Sequence, residues 1–234
     1  MLTVIRKICL LFLFLSAFAC EPNQNACDKG PKNGLVHTYN EDGTISSSIL
    51  YKDNIRNGLA KDFYEDGSLR AEIEYLNGLK DGSAKWYYKT GNIFRLTQYK
   101  NGERHGIQKK FYEDGGLISE SEFFENYPGI GLKEYSKSGN ERKIRPKIIV
   151  EKKKTNPDGS IVYQISVNNK VKEVDFFTGF LKKDRFIHDK MLRINKLSNM
   201  GVVTLGKDQQ KLLLSAKYKT RYNNYRVLQG YIQR

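Results

Sequence analysis

Four glycines recur at a fixed period of 24 residues: Gly34, Gly58, Gly82 and Gly106. A second set nine positions further on, Gly43, Gly67, Gly91 and Gly115, keeps the same phase, and a weaker fifth copy opens at Gly131. A short exact period confines the fold to one supersecondary unit stacked on itself. In the clearest copy, Gly58 to Asp81, Glu65-Asp66-Gly67 supplies a tight turn, because glycine reaches positive φ at no steric cost. Leu69, Ala71, Ile73 and Tyr75 then alternate with Arg70, Glu72 and Glu74, the period of two that marks a strand with one buried face. Asn77-Gly78 makes the next turn and Gly82 restarts the unit. Each copy therefore reads as a β-hairpin. A lone hairpin is marginal in water, so the copies must dock on one another to bury their apolar rows.

At these residues the chain resembles the membrane occupation and recognition nexus (MORN) repeats, in the variant form common in bacterial proteins. The resemblance rests on Tyr75-x-Asn77-Gly78 with Asp81-Gly82, on Tyr99-x-Asn101-Gly102 with His105-Gly106, and on the aromatic pairs Phe63-Tyr64, Tyr87-Tyr88 and Phe111-Tyr112. It covers roughly Gly34 to Gly139. Asp53-Asn54 stands where Asn-Gly is expected, and after Phe123 the spacing slips by one through Tyr127-Pro128-Gly129. The resemblance implies an elongated antiparallel sheet used for protein contacts or for lying near membranes, with no shared reaction. Some bacterial members are described as antitoxin components, so a toxin-neutralising or immunity-like role is the alternative reading.

Strand alternation places Tyr87 with the aromatic row of Tyr39, Phe63 and Phe111 and turns Trp86 and Tyr88 the other way. Phe94 and Leu96 hold the positions of Arg70 and Glu72 one copy earlier. Trp86, Tyr88, Phe94 and Leu96 are therefore expected to gather on the polar face as a partner-binding patch. The competing explanations are that the C-terminal region packs there or that sheet twist buries the spot.

From about Ile144 the period is gone. Short apolar alternations follow at Lys147 to Glu151, Ile161 to Val167, Val171 to Phe177, Met191 to Leu197, Val202 to Leu205, Leu212 to Ala216 and Tyr225 to Ile232. Asn156-Pro157-Asp158-Gly159 and Asn168-Asn169 are turn signals, the second joining its flanking strands as a hairpin. About seven strands in this stretch suggest a small β-sandwich, and a short helix near Lys207 to Lys217 is compatible with propensity. The expected class is all-β: hairpin repeats over 34–140, then a basic β-rich domain over 141–234.

The N-terminus reads as an address. Arg6 and Lys7 precede an apolar run from Ile8 to Leu15, and small residues lead to Ala17-Phe18-Ala19-Cys20. This is a signal peptide in outline, residues 1–19, and its core is shorter than the ~20 apolar residues that a bilayer-spanning helix needs. Ala17-x-Ala19 fits ordinary secretion. Cys20 directly after the cut resembles the lipidated cysteine of bacterial lipoproteins, although Ala17 stands where that family usually carries Leu or Val. Residues 20–33 then form a flexible tether, with Cys27 a free thiol or, if Cys20 is not lipidated, its disulfide partner. The expected location is the bacterial envelope, lipid-anchored, with secretion or the periplasm as the alternative.

The net charge of +14 is unevenly spread. Residues 20–140 hold 16 basic and 18 acidic side chains, whereas 141–234 hold 22 and 8. The C-terminal region is thus suited to an anionic surface, and export argues against nucleic acid. No catalytic constellation, cofactor loop or metal cluster can be assembled: His37 replaces a surface lysine, His105 occupies a turn slot, and His188-Asp189 stands alone. The expected activity is non-catalytic binding of a protein or envelope polymer, with no cofactor.

Overall fold

The repeat builds one antiparallel meander in which every turn of the sequence period becomes a turn of the chain. In the computed structural model, which describes residues 32–168, 171 and 173–234, the strands are β1 Gly34–Tyr39, β2 Ile45–Lys52, β3 Ile55–Phe63, β4 Leu69–Leu76, β5 Leu79–Tyr87 and β6 Ile93–Lys100. The short β7 Glu103–Arg104, then β8 Gly106–Phe111, β9 Leu117–Phe124, β10 Tyr127–Pro128 and β11 Lys133–Glu134 complete an 11-stranded sheet. Each long strand pairs with its sequence neighbour, as stacked hairpins require. The leader, Cys20, Cys27, most of the tether and Asn169 lie outside the described residues.

Two turn types alternate. At one end Tyr64 N–H donates to Ser68 O and Gly67 N–H to Tyr64 O, with Gly67 at φ 80°: a type I turn closed by a glycine in the left-handed region. The same bonds recur at Asn40–Thr44, Tyr88–Asn92 and Tyr112–Gly116. At the other end two consecutive residues take positive φ: Asn77-Gly78, Asn101-Gly102, but also Asp53-Asn54 and Glu125-Asn126 without glycine. Asn54 tolerates this because its side-chain carbonyl accepts the Lys32 amide at 2.6 Å.

The strands do not run in perfect register. Ile49 faces Ala60 while Tyr51 faces Arg56, so β3 carries two extra residues opposite Leu50. β5 repeats the bulge between Ala84 and Lys80. Gly58 and Gly82 sit in these bulges at φ 114° and 101°, which explains why the glycine period is strict.

The remaining strands form two four-stranded sheets. One is ordered β12-β13-β17-β16 and contains β12 Ile148–Thr155, β13 Ile161–Val167, β16 Lys196–Leu197 and β17 Met200–Leu205. The other is ordered β15-β14-β18-β19 and contains β14 Val174–Thr178, β15 Leu192–Arg193, β18 Lys211–Lys219 and β19 Tyr225–Gln233. Inward residues of both sheets, Ile165 and Leu205 from one and Phe176, Leu214 and Ile232 from the other, make a single core, which is a β-sandwich. The class is all-β, and there is no helix among the described residues; Lys207 to Lys217 is a turn followed by strand.

Two local expectations are corrected. β13 and β14 do not pair as a hairpin across Asn168: β13 lies between β12 and β17, and β14 between β15 and β18. Met191 to Leu197 is not one strand, since Leu192–Arg193 joins one sheet and Lys196–Leu197 the other. Lys152, Lys153 and Lys154 all lie exposed on β12, an edge strand, where lysine discourages pairing with another chain.

Candidate ligand-binding face

Directly opposed residues share a face, so the register sorts the repeat sheet into two surfaces. On one, Lys61 faces Glu72, Glu72 faces Lys85, Lys85 faces Leu96, and Lys109 faces Glu120. The charges there neutralise one another. Lys61 and Lys85 approach Glu72 at 3.5 and 3.9 Å, and Lys109 approaches Glu120 at 3.2 Å. Tyr87 also donates its hydroxyl to Glu72 at 2.7 Å, and Tyr135 repeats the bond to Glu120 at 3.1 Å, two periods on. The Tyr87 hydrogen bond, helped by the lysines, holds the Glu72 carboxyl below its ordinary range against the cost of burial. Burial and then Glu72 push the Tyr87 phenol up to about 12. In the copy between them Leu96 and Phe111 replace the carboxylate and the phenol together, so no orphaned partner is left.

The other face is different in kind. Its middle row runs Ala60, Ile73, Ala84, Thr97, and all four side chains are buried. Beside it lies a row that alternates aromatic and cation from strand to strand. Tyr51 faces Arg56, Tyr75 faces Lys80, and Tyr99 faces Arg104. Each cation also reaches over the next ring: Lys32 over Tyr51 (5.4 Å to the centroid), Arg56 over Tyr75 (5.3 Å), Lys80 over Tyr99 (5.3 Å) and Arg104 over Phe123 (4.1 Å). None of the four forms an ion pair with a carboxylate among the described residues. On the far side of the middle row, Asp62, Ala71, Trp86, Arg95, Lys110 and Ser119 follow one another across the sheet. Arg95 stacks on Trp86 at 3.8 Å, and its buried Nε has no hydrogen-bond partner among the described residues. Burial pushes the Arg95 and Lys110 pKa values down.

The expected four-residue patch is not assembled. Trp86 faces Ala71 and Arg95, whereas Leu96 faces Lys85 on the opposite surface. The cause is a register shift between Trp86 and Tyr87, where the bulge at the three-residue turn offsets the two strands. Tyr88 and Phe94 do meet, edge to face at 5.3 Å, while the Tyr88 hydroxyl donates to Phe111 O, as Tyr64 does to Tyr87 O and Tyr112 to Tyr135 O. That hydroxyl ladder gives these tyrosines a structural role. Sequence reading missed the cationic row, although Lys32, Arg56, Lys80 and Arg104 share the 24-residue phase of the glycines.

The sandwich docks on the last strands of the sheet. Lys110 Nζ donates to the Tyr222 and Asn223 carbonyls, and Ser119 donates to Asn224 Oδ1 at 3.4 Å. Glu134 accepts from Thr220 at 2.5 Å, Asn224 at 3.0 Å and Arg226 at 3.3 Å. A second contact pairs Gly129 with Phe186 and Glu122 with Arg185 at 2.8 Å. The C-terminal region therefore covers Lys110, two strands from Trp86. A cleft of about 890 Å³ opens beside the junction, lined among others by Arg142, Asp175, Lys217, Lys219 and Arg226, and two of its acids already hold cations: Asp175 binds Arg193 and Lys196, and Glu134 binds Arg226. His188 is spent on its own loop, with Nδ1 accepting the Lys190 amide.

No curated protein matches the chain. Residues 56–77, 80–101 and 104–126, which cover most of β3 to β9, match the MORN repeat variant family, so the heart of the sheet is a run of three consecutive repeats of that kind.

Proposed function

We propose that this chain is a non-catalytic binding module of the bacterial cell envelope, exported by its leader, anchored by a lipid on Cys20, and holding a macromolecular partner on the cationic face of its repeat sheet. MORN repeats point to a binding or scaffold module. The observation that carries the choice of face is the contrast between surfaces: Lys61, Lys85 and Lys109 are matched by Glu72 and Glu120, whereas Lys32, Arg56, Lys80 and Arg104 lie over aromatic rings and pair with no carboxylate among the described residues, Arg56 donating to the Tyr75 hydroxyl and Arg104 to Asn126. Cations that satisfy no acid of their own chain are available to an anionic partner. Arg6, Lys7, the apolar run and Cys20 support export and anchoring. The excess of basic residues after Glu141 supports a sandwich that lies toward an anionic envelope surface.

The test is capture from cross-linked envelopes with the full chain as bait. Lys80→Gln with Arg104→Gln should lose the cross-linked partner, and Lys61→Gln with Lys85→Gln should keep it. Equal capture by both pairs refutes the assignment of the face. In parallel, Cys20→Ser should move the protein from the membrane to the soluble fraction. An unacylated wild-type N-terminus by mass spectrometry refutes the anchor.

A further inference from the structure

We infer that the aromatic–cation row binds a linear acidic polysaccharide that carries one carboxylate per disaccharide; this rests on the binding-face reading above and names its ligand. Four cations, Lys32, Arg56, Lys80 and Arg104, follow one another at 24-residue intervals, which in a meander means every second strand. Strands lie ≈ 4.7–4.9 Å apart, so the rungs repeat at about 9.6 Å in a line perpendicular to the strands. That is the spacing of one anionic group per two sugar rings in an extended β-linked glycan.

The rings between the cations favour sugar over other polyanions. Tyr51, Tyr75 and Tyr99 are half-buried and stand directly opposite Arg56, Lys80 and Arg104, so the row presents charge and aromatic surface in turn. A sugar ring has an apolar face of axial C–H bonds that lies on an aromatic ring, while its carboxylate reaches the neighbouring cation. A polyphosphate carries charge too densely for a 9.6 Å pitch and has no apolar face. An acidic peptide reproduces the charge spacing only with an acid at every third extended residue, and it leaves the rings unmatched. Opposing carboxylates are scarce on this face: Asp62, in the outer row, is already close to Arg70 at 3.8 Å. The row ends where Pro128 takes the place of the next cation, so four rungs set the length of ligand that can be read.

The test is calorimetric titration of the full chain with hyaluronan oligosaccharides, which carry one carboxylate per disaccharide. Affinity should climb with each added disaccharide up to four and then level off. Lys80→Gln with Arg104→Gln should weaken the four-disaccharide ligand by at least tenfold, and Lys61→Gln with Lys85→Gln should leave it within twofold. The length series uses the wild-type chain, so it decides the matter even if a variant fails to fold. No binding, affinity without a length plateau, or equal affinity for poly-glutamate or polyphosphate of matched charge overturns the polysaccharide assignment. If envelope capture still depends on Lys80 and Arg104 in those cases, the face is a binding face for another ligand; if capture ignores them, the broader reading fails as well.

Discussion

Glu134 and Arg226 pair at 3.3 Å across the junction of sheet and sandwich, with side chains only 3% and 11% exposed. Glu134 belongs to the last, truncated repeat and Arg226 to β19, so the fifth copy is completed by the sandwich rather than by a further hairpin. Removing one partner of a buried ion pair strands the other charge, at a cost of about 3–5 kcal/mol. Glu134→Ala should therefore lower the free energy of unfolding by that much, read as a lower urea midpoint at unchanged m-value, and Glu134→Gln, which still accepts from Thr220 and Asn224, should cost less. Equal midpoints for wild type and Glu134→Ala would refute the junction.

The Tyr87–Glu72 bond makes stability depend on pH at both ends of the scale. Glu72 is held below its ordinary pKa by Tyr87 first and its lysines next, so its contribution is complete above the ordinary carboxylate range and is lost as acid protonates the folded form. Tyr87 is raised to about 12, so its contribution is complete below the ordinary phenol value and is lost as pH climbs toward 12. Tyr87→Phe should cost roughly 1 kcal/mol at neutral pH. The gap between wild type and variant, followed by denaturant titration, should narrow in acid and again above pH ~10.

Gly67 isolates the price of a backbone conformation. Its φ is 80°, and a Cβ built there meets nothing within 4 Å, so only the dihedral resists a side chain. Gly67→Ala should destabilise by about 1–2 kcal/mol, and Gly67→Asn by less, because asparagine visits the left-handed region more readily. Identical losses for the two variants would point to contacts instead.

Arg95 is held where stability alone has little use for it. Its guanidinium stacks on Trp86, but its Nε is unsatisfied and no carboxylate pairs with it among the described residues. Arg95→Met keeps the stacked volume and removes a desolvated charge, so stability should stay within about 1 kcal/mol of wild type. Trp86 is the only tryptophan, and its emission should change in the same variant. A large loss of stability would mark Arg95 as a structural keystone.

The repeat was legible because glycine and asparagine report backbone dihedrals directly: Gly58, Gly67 and Asn77 stand at positive φ, where few other residues are comfortable. Faces were harder. Trp86 and Leu96 have the spacing of neighbours, yet one unpaired residue at the Trp86/Tyr87 shift sends them to opposite sides. Asn168 signals a change of direction but carries no information about which sheet the chain enters next, and β13 pairs with β17 while β14 pairs with β18. The cationic row is invisible in a net charge summed along the chain. Its 16 bases and 18 acids nearly cancel over residues 20–140, whereas the fold separates them by surface.

The hairpins of the meander touch chiefly their immediate neighbours, and each contributes one rung. Gene duplication or loss of a 24-residue module would therefore lengthen or shorten the row in whole steps while leaving Glu134 and its seat on the sandwich untouched. Reach becomes a countable trait in such a protein: selection can lengthen or trim its grip like a ruler cut at the marks, with no need to redesign the far end.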